Sequence, residues 1–247
     1  MLEVRNVTKR FGSLIAVKDV SMSVKRGELR AIIGPNGAGK TTFFNMISGY
    51  FPPTKGAIMF EGNNVTQVPA HARVGLGMGR TFQITEIFPE LTVYENVLTA
   101  AEVAAGQTLN MIPSRAATKL ANDVAAEILA QVSLTGKADR LVGELAHGDQ
   151  RITEIAMALA QLPRLLLLDE PTAGMGDQET YEITALIRGL HRERNYTIVL
   201  IEHDMRVVFN LADYITVLDR GSLLAEGTPK EIAASEAVQA AYLGVAE

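Results

Sequence analysis

Cysteine is absent from this 247-residue chain, which excludes a disulfide framework and a thiolate-held zinc site and fits a reducing compartment. A basic excess is missing too. Lys and Arg total 23 against 28 Asp and Glu, and the resulting charge of −5 argues against a surface that coats nucleic acid, so no nucleic-acid partner is expected. No apolar run reaches the roughly 18 to 20 residues of a membrane span. The richest stretch, residues 156–168, is interrupted by Gln161, Pro163 and Arg164, and the chain is not expected to cross a bilayer unaided. The start, Met1-Leu2-Glu3-Val4-Arg5-Asn6, lacks a basic segment followed by an apolar one, so a secretory signal is not expected. The three Asn-x-Ser/Thr triplets beginning at Asn6, Asn64 and Asn195 are accordingly read as coincidental. What remains is a composition of 47% hydrophobic and 21% charged residues, that of a globular protein with a real core.

Against those absences stands Gly34-Pro35-Asn36-Gly37-Ala38-Gly39-Lys40-Thr41-Thr42, a full match to the pattern G-x-x-x-x-G-K-[ST]. Residues 28–33 read as a buried strand entering this turn and residues 41–48 as the helix leaving it. That order suits phosphate binding. Glycines let the backbone approach an anion without a Cβ in the way, and a helix N-terminus presents free N–H donors and a partial positive charge. In such a loop Lys40 reaches the β- and γ-phosphates and the Thr41 hydroxyl ligates Mg²⁺. A chance glycine turn would not come with both flanks correct.

Two further segments carry polar groups at the ends of apolar strands. Leu165 to Leu168 is all leucine and is closed by Asp169-Glu170-Pro171, which places two carboxylates where open α/β sheets bind ligands. Asp169 suits contact with Mg²⁺, directly or through water, and Glu170 suits orientation or deprotonation of an attacking water. Thr197-Ile198-Val199-Leu200-Ile201 ends in Glu202-His203-Asp204, where His203 can donate an N–H to a γ-phosphate. His71, His147 and His191 have no such context and read as surface or packing residues.

Taken together, these segments and the sequence between them resemble the ATP-binding subunit of ABC transporters across essentially the whole chain. The resemblance implies an α/β fold of the P-loop NTPase, RecA-like type, with an antiparallel β subdomain and an inserted α-helical subdomain. It implies ATP and Mg²⁺ as ligands. Lys40, Gln83, Glu170 and His203 become the catalytic set. Thr41, Gln83 and Asp169 become the metal set, with Gln83 in Thr81-Phe82-Gln83 touching Mg²⁺ and the water while its segment leans on the membrane partner. Phe11, in Lys9-Arg10-Phe11-Gly12, corresponds to the aromatic that stacks on adenine; its plain alternative is a core aromatic at a strand end. Gly34, Asn36, Gly37, Ala38, Gly39, Lys40, Thr41 and Thr42 form the phosphate cradle. Implied partners are a second ATP-binding subunit set head to tail, identical or related, two transmembrane permease subunits and, indirectly, an extracytoplasmic solute-binding protein. The implied location is peripheral, on the cytoplasmic face of the cell membrane.

The chain departs from the family pattern in two places. Leu145-Ala146-His147-Gly148-Asp149-Gln150-Arg151 stands where the family usually shows Leu-Ser-Gly-Gly-Gln, so the serine hydroxyl is missing at Ala146 and His147 replaces a glycine. Gly148 and the dipole of the helix expected over residues 149–161 remain to hold the partner's γ-phosphate in trans, with Ala146 beside it. After the carboxylates, Ala173-Gly174-Met175-Gly176-Asp177 replaces a segment that ordinarily ends in Leu-Asp, leaving Gly176 or Asp177 at the usual aspartate. These departures, the run Gly79-Arg80-Thr81-Phe82-Gln83-Ile84 and the ending Ala241-Tyr242-Leu243-Gly244 resemble the importers of branched-chain or hydrophobic amino acids and their relatives for urea and short amides. Exporters of lipopolysaccharide share part of the tail pattern, which leaves direction open. A nucleotide-gated module with weak hydrolysis is the other reading, motivated by Ala146, His147 and Gly176. A soluble relative acting in DNA repair or translation would carry two cassettes or long coiled coils, and neither is present.

Organisation follows from the order of patterns. Residues 1–86 and 163–228 are expected to form one nucleotide-binding α/β core, residues 87–162 a helical insertion with alanine-rich stretches at 97–105 and 114–132, and residues 229–247 a tail with two brief helical patterns; the resemblance implies that the insertion docks the membrane subunits. Alternating apolar positions at Leu2, Val4 and at Val20, Met22, Val24 predict half-buried strands. Strands return at 165–168, 197–202, 214–218 and 222–226, and Gly106, Gln107, Pro113 and Gly136 mark expected loop points.

Overall fold

The computed structural model describes residues 1–81, 87–105 and 115–243. In chain order its elements are β1 (Leu2–Phe11), β2 (Leu14–Val24), β3 (Leu29–Ile33), α1 (Lys40–Ser48), β4 (Lys55–Phe60), β5 (Asn63–Asn64), α2 (Ala70–Gly75) and β6 (Met78–Arg80). They continue with α3 (Val93–Ala104), α4 (Arg115–Gln131), α5 (His147–Ala160), β7 (Leu165–Asp169), α6 (Asp177–Arg194), β8 (Thr197–Ile201), α7 (Met205–Leu211), β9 (Tyr214–Asp219), β10 (Ser222–Gly227), α8 (Pro229–Ala233) and α9 (Glu236–Leu243). The chain divides into two compact units, residues 1–73 with 187–247, and residues 74–186.

The first unit contains two sheet segments. One is antiparallel, ordered β2-β1-β4-β5, and its strands alternate as expected of a sheet with one wet face: Leu2, Val4 and Val7 are buried while Glu3 and Arg5 are exposed. In the other, β3 lies between β8 and β9, parallel to both, and β10 closes antiparallel on β9. All five residues of β3 and all five of β8 are buried, which is why both read as unbroken apolar runs. The α1 helix leaves β3 through the glycine loop, and its far end meets a charge. Arg73, 1% exposed, donates from Nη1 to the carbonyls of Met46 (3.1 Å) and Ile47 (2.5 Å), from Nη2 to Val65 (2.5 Å) and from Nε to Val68 (2.8 Å). These bonds satisfy carbonyls that a helix end leaves open, with the positive charge at the favoured pole of the helix dipole. Burial lowers the Arg73 pKa to about 10, so the group stays charged at neutral pH.

The second unit packs α3, α4 and α5 through small and aliphatic side chains, among them Val97, Ala101, Ala125, Ile128, Ala156 and Leu159, all nearly inaccessible to solvent. Its strands β6 and β7 pair in parallel, with Met78 opposite Leu165 and Arg80 opposite Leu167. Helix α3 starts at Val93 because Thr92 and Glu95 form a reciprocal capping box, a signature that fixes a start independently of apolar spacing. The fully buried Asn96 binds the amide and carbonyl of Phe88 and the carbonyl of Thr92, so the turn before the helix has no orphaned backbone group there.

Every strand expected after residue 164 forms, within a residue at each end. Helix α5 begins two residues earlier than its apolar period suggests, since Ala146 takes the extended conformation of an N-cap (φ −60°, ψ 154°). The alanine-rich stretches become α3 and α4, and the two brief tail patterns become α8 and α9. Gly136 lies inside a 3-10 turn, Thr135–Lys137, while Gly106, Gln107 and Pro113 lie outside the described residues. Among the described residues no helix is long and apolar enough to cross a membrane.

Candidate nucleotide site

The phosphate loop belongs to the first unit and depends on backbone that only glycine adopts easily. Gly39 caps α1 at φ 91°, and a Cβ there would lie 2.5 Å from the Ala16 carbonyl oxygen. A Cβ on Gly34 would lie 2.1 Å from the Leu218 carbonyl oxygen, so the strand's exit is closed to any larger residue. No side chain caps α1, which leaves its first amides directed into the loop. The Lys40 ammonium is buried against the loop itself, donating to the carbonyls of Gly34 (2.7 Å) and Pro35 (3.0 Å). Asn36, Gly37 and Thr41 are exposed, Gly39 and Thr42 are half-buried, and Ala38 is packed inside, where its carbonyl accepts from the Gly221 amide at 3.0 Å. The tail reaches the same loop: the Tyr242 phenol lies beside the Gly34 backbone, and burial raises its pKa.

Also in the first unit, Phe11 ends β1 with its ring edge-to-face on Phe51, centroids 5.6 Å apart, and the Lys9 ammonium sits 5.2 Å from the Phe11 centroid. At 47% exposure Phe11 is not a core aromatic. His203 follows β8 and is exposed, its amide donating at 2.7 Å to the buried Glu202 carboxylate, which thereby fixes the turn the imidazole stands on. Of the other histidines, His71 and His147 are exposed, and His191 is buried against Asp213 at 2.9 Å.

In the second unit, Asp169 ends β7 and is 1% exposed. Its Oδ2 accepts from Arg80 Nη2 at 3.1 Å, and its Oδ1 is buried without a hydrogen-bond partner among the described residues. Desolvation raises its pKa, with the Arg80 cation opposing that shift. A buried carboxylate oxygen left unmatched fits a ligand to a hard cation, and the exposed Thr41 hydroxyl is an oxygen donor of the same kind. Mg²⁺ is therefore compatible with both. Glu170 follows at φ 46°, a left-handed conformation whose cost for a residue with a side chain is of order 1–3 kcal/mol. Thr81 accepts from the Asp169 amide at 3.3 Å and is the last described residue before the segment holding Gln83, which lies outside the described residues.

The helix expected to face a partner's phosphate is α5, with Gly148 in its first turn and Ala146 as an N-cap without a side-chain oxygen. The Gly148 amide is taken by a carboxylate: Glu179 Oε1 accepts from it at 3.1 Å, and Oε2 accepts from the Gly176 amide at 3.2 Å. Glu179 lies outside every motif of the sequence, and Arg151, the buried arginine of α5, ends the segment 145–151 with no role assigned to it there. Arg151 had a signal in the sequence, since it and Glu154 fall on the apolar face of an otherwise amphipathic helix.

Comparison with known proteins agrees with these features. Residues 17–173 match the ABC transporter family, and residues 222–247 match the family described as branched-chain amino acid ATP-binding cassette transporter. The chain is 43% identical to the high-affinity branched-chain amino acid transport ATP-binding protein BraF of Pseudomonas aeruginosa, covering all of this chain and 98% of that one. A solved ATP-binding cassette of an ABC transporter in its ADP conformation superposes with a TM-score of 0.86 at 31% identity, over 99% of this chain and 98% of that one. A dimeric cassette in a post-hydrolysis state bound to ADP and Pi gives 0.75 at 28% identity, over 93% and 99%. With its phosphate loop, strand-end carboxylates and coverage from end to end, the chain belongs to the ATP-binding cassette family of ABC transporters.

Proposed function

We propose that this chain is the ATP-hydrolysing subunit of an importer for branched-chain or hydrophobic amino acids or related small amides, working at the cytoplasmic face of the membrane. The observation that carries the reading is the phosphate loop, in which glycine-only backbone brings uncapped helix amides and the Lys40 ammonium to one concave turn. The C-terminal family match and the relation to BraF support import rather than export.

In this mechanism the triphosphate lies along residues 34–42 with its base against Phe11. Lys40 and the α1 amides hold the β- and γ-phosphates, which spread negative charge in the loose transition state of phosphoryl transfer. The hydroxyl of Thr41 and the carboxylate of Asp169 would hold Mg²⁺, which would supply positive charge against the charge developing on the phosphate. Glu170 orients or deprotonates the attacking water, Gln83 helps position it, and His203 donates to the γ-phosphate. The chain carries one copy of each segment, so the Gly148 amide that meets this phosphate belongs to a second ATP-binding subunit set head to tail. Nucleotide then joins the two subunits and its cleavage parts them. ATP must bind the joined state better than the separate one, and ADP must not, for the cycle to do work on two permease subunits and the binding protein they serve.

The test is phosphate release by the purified chain with and without Mg²⁺, run beside Glu170→Gln. Wild type is expected to turn over only with Mg²⁺. The variant is expected to bind ATP, fail to hydrolyse it and accumulate an ATP-bound dimer in size exclusion. Hydrolysis by Glu170→Gln at near wild-type rate removes Glu170 from its role.

A further inference from the structure

One side chain of the second unit holds both of its chemical segments. Arg151 lies on α5 three residues after Gly148, its side chain 5% exposed, and its guanidinium reaches the turn that follows β7. Nη2 donates to the carbonyl oxygens of Asp169 (2.5 Å) and Glu170 (3.1 Å), and Nε donates to that of Pro171 (3.3 Å). Nη1 is paired with Glu154, three residues along the same helix. Three consecutive carbonyls are thus fixed by one planar, rigid group. The middle one belongs to Glu170, the residue held left-handed at φ 46°. In that conformation the Cα–Cβ bond leaves the chain in a direction that the ordinary strand or helix backbone does not give. Relaxation of the turn would therefore swing the carboxylate away from its aim.

We propose that Arg151 is a positioning residue for hydrolysis: its fork holds the left-handed turn, and the turn aims the Glu170 carboxylate at water. The inference rests on the role given to Glu170 above. It also ties that aim to the helix bearing Gly148, so that a shift of α5 moves the carboxylate with it. Lysine cannot do the same work. Its ammonium keeps a charge opposite Glu154 but has no fixed fork to span three carbonyls.

Arg151→Lys in the full chain tests this, because it retains the buried charge pair and with it the fold. The expected result is a kcat lower by about tenfold or more with KM for ATP within about threefold, the pattern of a group needed in the transition state and not for binding. Incubated with Mg²⁺ and ATP, the variant is expected to accumulate the dimer in size exclusion. A merely structural role would instead displace α5 and lose that dimer. Should the lysine variant melt at a clearly lower temperature, the charge-free pair Arg151→Gln with Glu154→Gln is expected to show the same split. A near wild-type kcat in Arg151→Lys, or loss of kcat together with the dimer, overturns the proposal. Glu170→Gln measured in parallel separates the two readings: if it is inactive while Arg151→Lys turns over normally, only the role of Arg151 falls.

Discussion

Asp169, the proposed ligand to Mg²⁺, shows what burying a carboxylate costs. Buried at the end of β7, it is shifted up by desolvation despite the Arg80 cation beside it, so the folded chain holds a proton there more tightly than the unfolded chain does. A folded-state pKa above the unfolded one means that stability declines as pH climbs through the window above the ordinary value of 3.8. Asp169→Asn is therefore expected to raise the thermal midpoint at neutral pH, with a gain that shrinks as pH falls toward 4, and to abolish Mg²⁺-dependent hydrolysis. Melting curves across pH, with phosphate release alongside, check both. A midpoint that drops at neutral pH would mean that the ion pair with Arg80 outweighs desolvation. At this scale the sequence placed Lys40 at the start of the helix leaving the glycine loop and Asp169 at a strand end, where both are found. It was silent on the left-handed backbone of Glu170, because that conformation is imposed by Arg151 from 19 positions earlier and leaves no local mark.

The N-termini of α5 and α6 meet through one carboxylate. Glu179, in the first turn of α6, accepts from the Gly148 amide and from the Gly176 amide, holding the donor that the trans mechanism assigns to a partner's phosphate. The two anions compete for one N–H. Glu179→Gln removes the charge and weakens that hold, since hydrogen bonds to ionised acceptors are about twice as strong as neutral ones. The variant is expected to need severalfold less ATP to form the dimer seen in size exclusion, and an unchanged ATP requirement would show that this contact does not oppose assembly. Long apolar or alanine-rich patterns fixed most elements in advance, as at β3, β7, β8 and α4. The two helix starts that came early, α3 and α5, were set by capping geometry at Thr92 and Ala146, which apolar spacing does not report. Helix α6 escaped notice because few of its side chains are buried, Ile183, Ile187 and Leu190 among them, on a strongly polar helix.

For the molecule as a whole, the proposed mechanism makes hydrolysis a property of pairs, since the chain carries one copy of each motif. Specific ATPase activity is expected to rise with protein concentration until the dimer saturates, and a rate per chain that is flat over a hundredfold dilution would contradict the shared site. The tail adds something of practical use. The chain has six tyrosines and no tryptophan, so tyrosine emission is not swamped by indole. One of those phenols, Tyr242, lies beside the backbone of Gly34 in the phosphate loop. The protein thus carries its own optical gauge of the loop, and Tyr242→Phe supplies the blank against which its signal can be read without any attached dye.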